Sequence, residues 1–261
     1  CAHTLARLGH QVVIFDAKPK AGGLNEYGLA SYKTPNNFAQ AEVQWLLGLG
    51  GIELRHGWKF QNVAQLHALQ NDFDALFLGM GLPNTHQLGI PGEALYGVQD
   101  AVDFIAILRQ AEDLSKLPIG RQVVVVGGGM TAIDAAVQAK LLGAHDVQMV
   151  YRRGPEAMTA SKAEQEWAQT HGVVIHHWLA PIDIMANSFD PTYAGGVRFA
   201  RQKMLGGKLV PTGETLVIEA DMVLKAIGQT LGNPLLAQAD FELQGGRIAT
   251  DAQGQTSQRG V

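Results

Sequence analysis

Gln122-Val-Val-Val-Val-Gly127-Gly-Gly129-Met-Thr-Ala132-Ile-Asp134 decides the fold, together with Val147-Gln-Met-Val-Tyr-Arg152-Arg153, which follows about 20 residues on. Val123 to Val126 are β-branched and apolar on both faces, which suits a strand buried in a parallel sheet between layers of helices. Gly127 allows the sharp turn out of that strand, and Gly129 lets the backbone approach a diphosphate with no Cβ in the way. Ala132 lets the next helix lie close on the sheet, and the apolar residues Ile133, Ala136, Val137 and Leu141 recur at helical spacing until Gly143 ends it. The free N–H groups at such a helix start face an anion. The unit reads as a dinucleotide-binding strand, turn and helix closed by a second strand.

The end of that second strand chooses the cofactor. An acid there would accept from a ribose 2′-hydroxyl, whereas arginines match a 2′-phosphate in charge and geometry. Arg152 and Arg153 therefore favour NADPH over NADH, against the plainer possibility of two solvated surface arginines. A second unit lies at the start of the chain. Cys1 to Leu8 reads as a helix ended by Gly9-His10, and Gln11-Val-Val-Ile-Phe-Asp16 as a strand ending in an acid placed for a ribose. Its first strand and glycine turn do not precede it, so the chain is expected to begin inside a domain. Downstream come Ala21-Gly22-Gly23-Leu24 and Lys33-Thr-Pro35.

The ordered set D-x-x-x-x-x-G-G-L, K-x-P, Ala75-Leu-Phe-Leu-Gly79-Met-Gly81, the valine–glycine run, Y-R-R and Ala226-Ile-Gly-Gln229 resembles the two-nucleotide flavoprotein reductases. The likeness is strongest to the glutamate synthase small (β) subunit and the reductase module of dihydropyrimidine dehydrogenases, and it covers almost the whole chain. The resemblance implies an α/β fold in which a Rossmann-like FAD domain carries an inserted NAD(P) domain, here truncated at both ends. The FAD domain would comprise 1–100 and 226–261, and the inserted domain 101–225. It implies hydride passing from NAD(P)H to FAD and electrons passing on to an iron–sulfur domain or partner subunit. Carried across, Asp16 corresponds to the acid on the FAD ribose, Gly22, Gly23 and Leu24 to the flavin-side loop, and Lys33 to a basic residue near FAD. Gly127, Gly128, Gly129, Met130 and Thr131 correspond to the diphosphate turn, Arg152 and Arg153 to the 2′-phosphate pair, and Ala226, Ile227 and Gly228 to the nicotinamide side. Two positions depart from the pattern: Met130 stands where relatives often carry an acid, and Thr159 where some carry a further basic residue.

Composition narrows the alternatives. At 261 residues the chain suggests about two domains on a prior of ~150 residues each. With 20 basic and 24 acidic residues the net charge is −4, so nothing points to nucleic acid. No apolar stretch reaches the ~18 residues of a spanning helix and no signal peptide is visible, so no membrane partner and a cytoplasmic location are expected. The single cysteine, Cys1, cannot form an internal disulfide or hold an iron–sulfur cluster, which leaves a paired-thiol mechanism without a site in this chain.

Secondary structure follows the same pattern. Helices are predicted over 36–49, 101–114 and 161–171. Strands are predicted over 52–54, 75–78 and 173–176, with a hairpin over 195–204 and 209–218, after which 221–226 leads back to the first domain. His176-His177 alternate across a strand and have no third ligand, so no metal site is expected; Tyr151 and Trp167 read as packing residues. Hydride transfer between a nicotinamide and a flavin asks for stacking and exclusion of water rather than a side-chain acid or base, so no catalytic residue is nominated. Two other functions remain: a nucleotide-binding scaffold or regulatory subunit without turnover, and a free-standing ferredoxin-type NADP reductase.

Overall fold

A computed structural model describes residues 1–232, 236 and 238–261. In chain order its elements begin with α1 (Ala2–Arg7), β1 (Val12–Asp16), α2 (Leu24–Tyr27), α3 (Phe38–Leu47), β2 (Ile52–His56), α4 (Val63–Asp72) and β3 (Asn84–Thr85). There follow β4 (Val98–Asp100), α5 (Ala101–Gln110), β5 (Gln122–Val126), α6 (Met130–Leu141), β6 (Asp146–Tyr151), α7 (Lys162–Thr170) and β7 (Val173–His177). The chain continues through β8 (Leu179–Ala186), β9 (Ala194–Leu205), β10 (Lys208–Glu219), β11 (Met222–Lys225) and β12 (Gln229–Thr230).

Two compact units divide these elements. The first holds Cys1–Gly22, Asn37–His86 and Gly228–Val261; the second holds Gly23–Asn36 and Gln87–Ile227. In the first, β1 and β2 pair in parallel from Val12↔Ile52 to Asp16↔His56, and Leu66, Leu231 and Phe241 bury a separate apolar cluster. A short antiparallel pair, β3 with β12, carries the bond from His86 N to Gly228 O at 3.1 Å.

The second unit is built on a five-stranded parallel sheet in the order β4-β11-β5-β6-β7. Its valine strand explains the layering. Val123 and Val125 join Ile133, Ala136, Val137 and Phe104 of α6 and α5 on one face. Val124 and Val126 join Leu179, Ile184, Val197, Phe199 and Ile218 on the other. Those last residues belong to an antiparallel sheet in the order β10-β9-β8. The second face is thus covered by strands and not by the helices expected from the valine run, because four apolar residues record that both faces are buried and not what buries them.

The predicted helix over 161–171 is Lys162–Thr170, opened by a capping box in which Ser161 and Glu164 bond each other's backbone N–H groups. The expected hairpin is β9 and β10, with a register shift between Pro211 and Thr215. Residues 75–78 do not form a strand. Leu76 N donates to Gly260 O at 2.8 Å, but no ladder continues from it, and an apolar run without a paired neighbour stays irregular. Gly143 ends α6 at φ 103°, in the left-handed region the sequence reserved for glycine. No helix among the described residues is long and apolar enough to cross a membrane.

Candidate functional site

The parallel sheet has a switch point. From β5 the chain runs through α6 to β6 and through α7 to β7, whereas β11 and β4 lie on the opposite side of β5. In open α/β sheets the crevice outside the carboxyl ends of the strands at such a point receives ligands. Here that edge carries the turn after β5, the segment from Ala226 after β11 and the end of β6.

The three glycines of the turn serve different ends. Gly127 has φ 156° and its N–H donates to Val150 O at 3.0 Å; a Cβ there would run into the Ala226 carbonyl. At Gly128 a Cβ would enter the Tyr151 ring. At Gly129 it would meet only Thr159 Oγ1, at 3.1 Å. The first two are therefore demanded by the protein's own packing, and the third leaves space in front of the helix. The Tyr151 hydroxyl donates to Ala157 O at 2.7 Å, and the amides of Thr159 and Ala160 donate to Gly128 O at 3.1 and 3.2 Å, so the segment after β6 is bound to the turn.

Gly129 is the N-cap of α6. No side chain caps the helix and no acid stands in its first turn, so the N–H groups that lack partners inside a helix face outward with the positive end of its dipole. Met130 lies exposed there, while Ala132 is fully buried against the sheet. At the end of the next strand Arg152 and Arg153 are exposed, and neither has an ion-pair partner among the described residues. An open, uncapped helix start after β5 and, at the end of the adjoining β6, two guanidinium groups with no ion-pair partner among the described residues fit a diphosphate and a second phosphate.

The model of the family described as pyridine nucleotide-disulphide oxidoreductase matches residues 1–261. The chain belongs to that family. Its relatives include the NADP(+)-dependent formate dehydrogenase subunit beta of Moorella thermoacetica, 30% identical over 98% of this chain and 36% of that protein. The glutamate synthase [NADPH] small chain of Escherichia coli (strain K12) is 31% identical over 87% of this chain and 51% of that one. The chain thus spans between about a third and a half of these relatives' length. Among solved structures, Mycobacterium tuberculosis FprA in complex with NADPH superimposes with a TM-score of 0.72 over 95% of this chain and 72% of that chain, at 19% identity, a likeness of fold.

Membership in the family does not bring a dithiol with it. Cys1 is the one cysteine of the 261 residues, and it is exposed.

The other predicted residues are divided between the units. Asp16 closes β1, and its Oδ1 accepts from Lys18 N at 2.8 Å. A carboxylate at the end of a parallel strand suits a ribose hydroxyl. Gly22, at φ 125°, is the last residue of its segment in the first unit; Gly23, at φ 53° and ψ −126°, caps α2 in the second and would crowd nothing with a Cβ. Leu24 is exposed. Gly228 adopts φ 103° in the first unit, and Ala226 N donates to Val126 O at 2.8 Å in the second, with Ile227 packed under the antiparallel sheet.

Lys33 has partners that the sequence reading did not assign. Its Nζ lies 2.7 Å from Asp134 of α6 and 2.8 Å from Glu164 of α7. Asp134, 2% exposed, also accepts from the Tyr32 hydroxyl at 3.1 Å and Ala30 N at 3.3 Å. Burial weighs against the Lys33 charge, but the hydrogen bonds to both carboxylates outweigh it and hold its pKa above the ordinary value. The same exchange, burial opposed by bonds from Lys33 and Ser161, leaves Glu164 below its usual range. Burial first and the Asp134 charge second push the Tyr32 hydroxyl well above its ordinary pKa. Arg109 completes the attachment of this segment, donating to Asn25 O at 2.8 Å, Glu26 O at 2.9 Å and Thr34 Oγ1 at 2.6 Å.

A buried cation, Lys225, escaped the sequence reading. Lys225, 7% exposed at the end of β11, bonds Glu93 at 2.9 Å and lies 3.3 Å from Asp100. Glu93 in turn accepts from the amides of Leu88 and Gly89 at 2.8 Å each. The charge shows in the sequence; that two acids more than a hundred positions away meet it does not. His176 bonds Gln148 at 2.9 Å and His177 lies 3.2 Å from the Met158 sulfur; burial lowers both pKa values, which favours neutral rings. No metal-binding cluster occurs among the described residues.

Proposed function

We propose that the chain is the nucleotide-binding electron-input part of an oxidoreductase that takes hydride from NADPH, in preference to NADH, onto FAD and hands electrons to an iron–sulfur centre or partner subunit. The second unit would hold NAD(P)H and the first FAD. The observation that carries this reading is the pairing of an uncapped, unobstructed helix start at Gly129 with unpaired arginines at the end of the adjoining strand. The names of the relatives, an NADP(+)-dependent formate dehydrogenase subunit and a glutamate synthase [NADPH] small chain, support the same cofactor preference.

Bound together, a nicotinamide and a flavin supply direct hydride transfer. The chain's own residues bind and orient. Gly129, Met130 and Thr131 offer backbone N–H groups to the diphosphate, with Gly127 and Gly128 shaping the turn. Arg152 and Arg153 hold the 2′-phosphate, and Ala226, Ile227 and Gly228 bound the nicotinamide side. Asp16 accepts from the flavin ribose, and Gly22, Gly23 and Leu24 form the loop on the flavin side. Lys33, which the resemblance sets near FAD, acts here through its ties to Asp134 and Glu164, which fix the segment that follows that loop. Electrons leave for an acceptor outside these residues, because one exposed cysteine supplies neither a dithiol nor a cluster.

The test is spectroscopic. A yellow preparation of the full-length protein, bleached by NADPH without oxygen, is expected; a colourless one that still binds nucleotide would favour a scaffold without turnover.

A further inference from the structure

We propose that Trp178 forms the stacking wall for the adenine base of the bound dinucleotide. The inference rests on the reading above, with the diphosphate at α6 and the ribose phosphate at Arg152 and Arg153. Along the carboxyl edge of the sheet the order is β5, β6, β7. A dinucleotide whose diphosphate lies at β5 and whose ribose phosphate lies at β6 carries its base onward to the end of β7. Trp178 is the residue that follows β7.

Its backbone is unusual. Trp178 adopts φ 62°, a left-handed conformation that is an outlier for a bulky side chain. Two hydrogen bonds enforce it: Trp178 N donates to Arg153 O at 3.1 Å and its carbonyl accepts from Gln202 N at 2.7 Å. The turn from β7 to β8 alone would be served better by glycine or asparagine. What the ring gains there is a place beside the arginine pair. A Cβ at Gly154, the residue after Arg153, would come within 2.5 Å of the indole Cζ2 and collide with the Glu156 carboxylate. The indole is braced against Gly154, and the residue as a whole is half-buried, so part of its surface reaches solvent. Every purine has a π-face, and an indole with fixed backbone suits it.

The probe is 2′,5′-ADP, titrated calorimetrically into the full-length protein, with reduced nicotinamide mononucleotide as the ligand that lacks the base. Trp178→Asn keeps a residue that tolerates the left-handed backbone, and its melting temperature checks the fold. Binding of 2′,5′-ADP is expected to weaken about tenfold, with the mononucleotide unchanged. Trp178→Phe should recover most of the loss. Undiminished 2′,5′-ADP binding by Trp178→Asn, or a phenylalanine no better than the asparagine, would overturn this inference and leave the parent reading standing. Failure of the unaltered protein to bind 2′,5′-ADP would overturn both.

Discussion

At Gly128 a Cβ would enter the Tyr151 ring, whereas at Gly129 it would meet only the Thr159 hydroxyl. Neighbouring glycines should therefore fail differently. Gly128→Ala is expected to cost about 1–3 kcal/mol of stability through overpacking, seen in denaturant unfolding. Gly129→Val should change stability by no more than about 1 kcal/mol, as a weaker N-cap, yet lose affinity for NADPH and NADH alike. Unaltered affinity would show that the diphosphate lies elsewhere. Arg152→Ala with Arg153→Ala should weaken NADPH far more than NADH, by roughly 1.5–3 kcal/mol per lost charge-assisted contact. Equal losses in kcat/KM for both cofactors would refute the phosphate role. The places of these residues in the fold were legible because each glycine and each arginine stands at a fixed offset from the valine strand. Tyr151 was read as packing, and the structure gives that packing a purpose: the ring fills the space that makes Gly128 obligatory. Trp178 carried no sequence signal, since its left-handed backbone comes from bonds to Arg153 and Gln202 across three strands.

The ties of Lys33 belong to the scale of elements, because they fasten the segment before α3 to α6 and α7. Asp134→Ala would leave Lys33 with Glu164 alone and take from Ala30 N and the Tyr32 hydroxyl their acceptor. A loss of roughly 2–3 kcal/mol is expected, below the ~3–5 of a fully buried pair because Lys33 keeps contact with water. The pH dependence follows from the two shifts. Glu164 is depressed in the folded state, so its contribution is present above its unfolded pKa and is lost as pH falls through the lower folded value, in the region below about pH 4.5. Lys33 is raised, so its share persists below about pH 10.5 and is lost as pH rises through its higher folded value. Unfolding midpoints of the protein and of Glu164→Gln should therefore differ at pH 7 and converge in acid. A constant difference down to pH 3 would contradict this. Periodicity located α6 and α7 within a residue or two, whereas the capping box of Ser161 with Glu164 that opens α7 is known only from the structure. Strand β8 was not legible: Pro181 interrupts its pattern, and its pairing with β9 shifts register twice. The run 75–78 looked like a strand because apolar β-formers do so wherever they lie, and pairing is not written locally.

On the scale of the molecule, the two α/β halves were readable from two strand-and-acid or strand-and-arginine endings. Their boundaries were less so. Residues 23–36 sit within the stretch read as flavin-binding, yet they pack in the second unit, because Asp134, Gln138 and Arg109 supply the partners for their backbone. The antiparallel sheet behind the valine strand was likewise invisible as a covering layer, although two of its strands were expected. The central claim concerns one place in this architecture, the start of α6 beside the end of β6. A crystal of the full-length protein soaked with NADP⁺ tests it most directly. The account predicts the diphosphate on the amides of Gly129, Met130 and Thr131 and the 2′-phosphate between Arg152 and Arg153; a nucleotide bound with that helix start empty would contradict it.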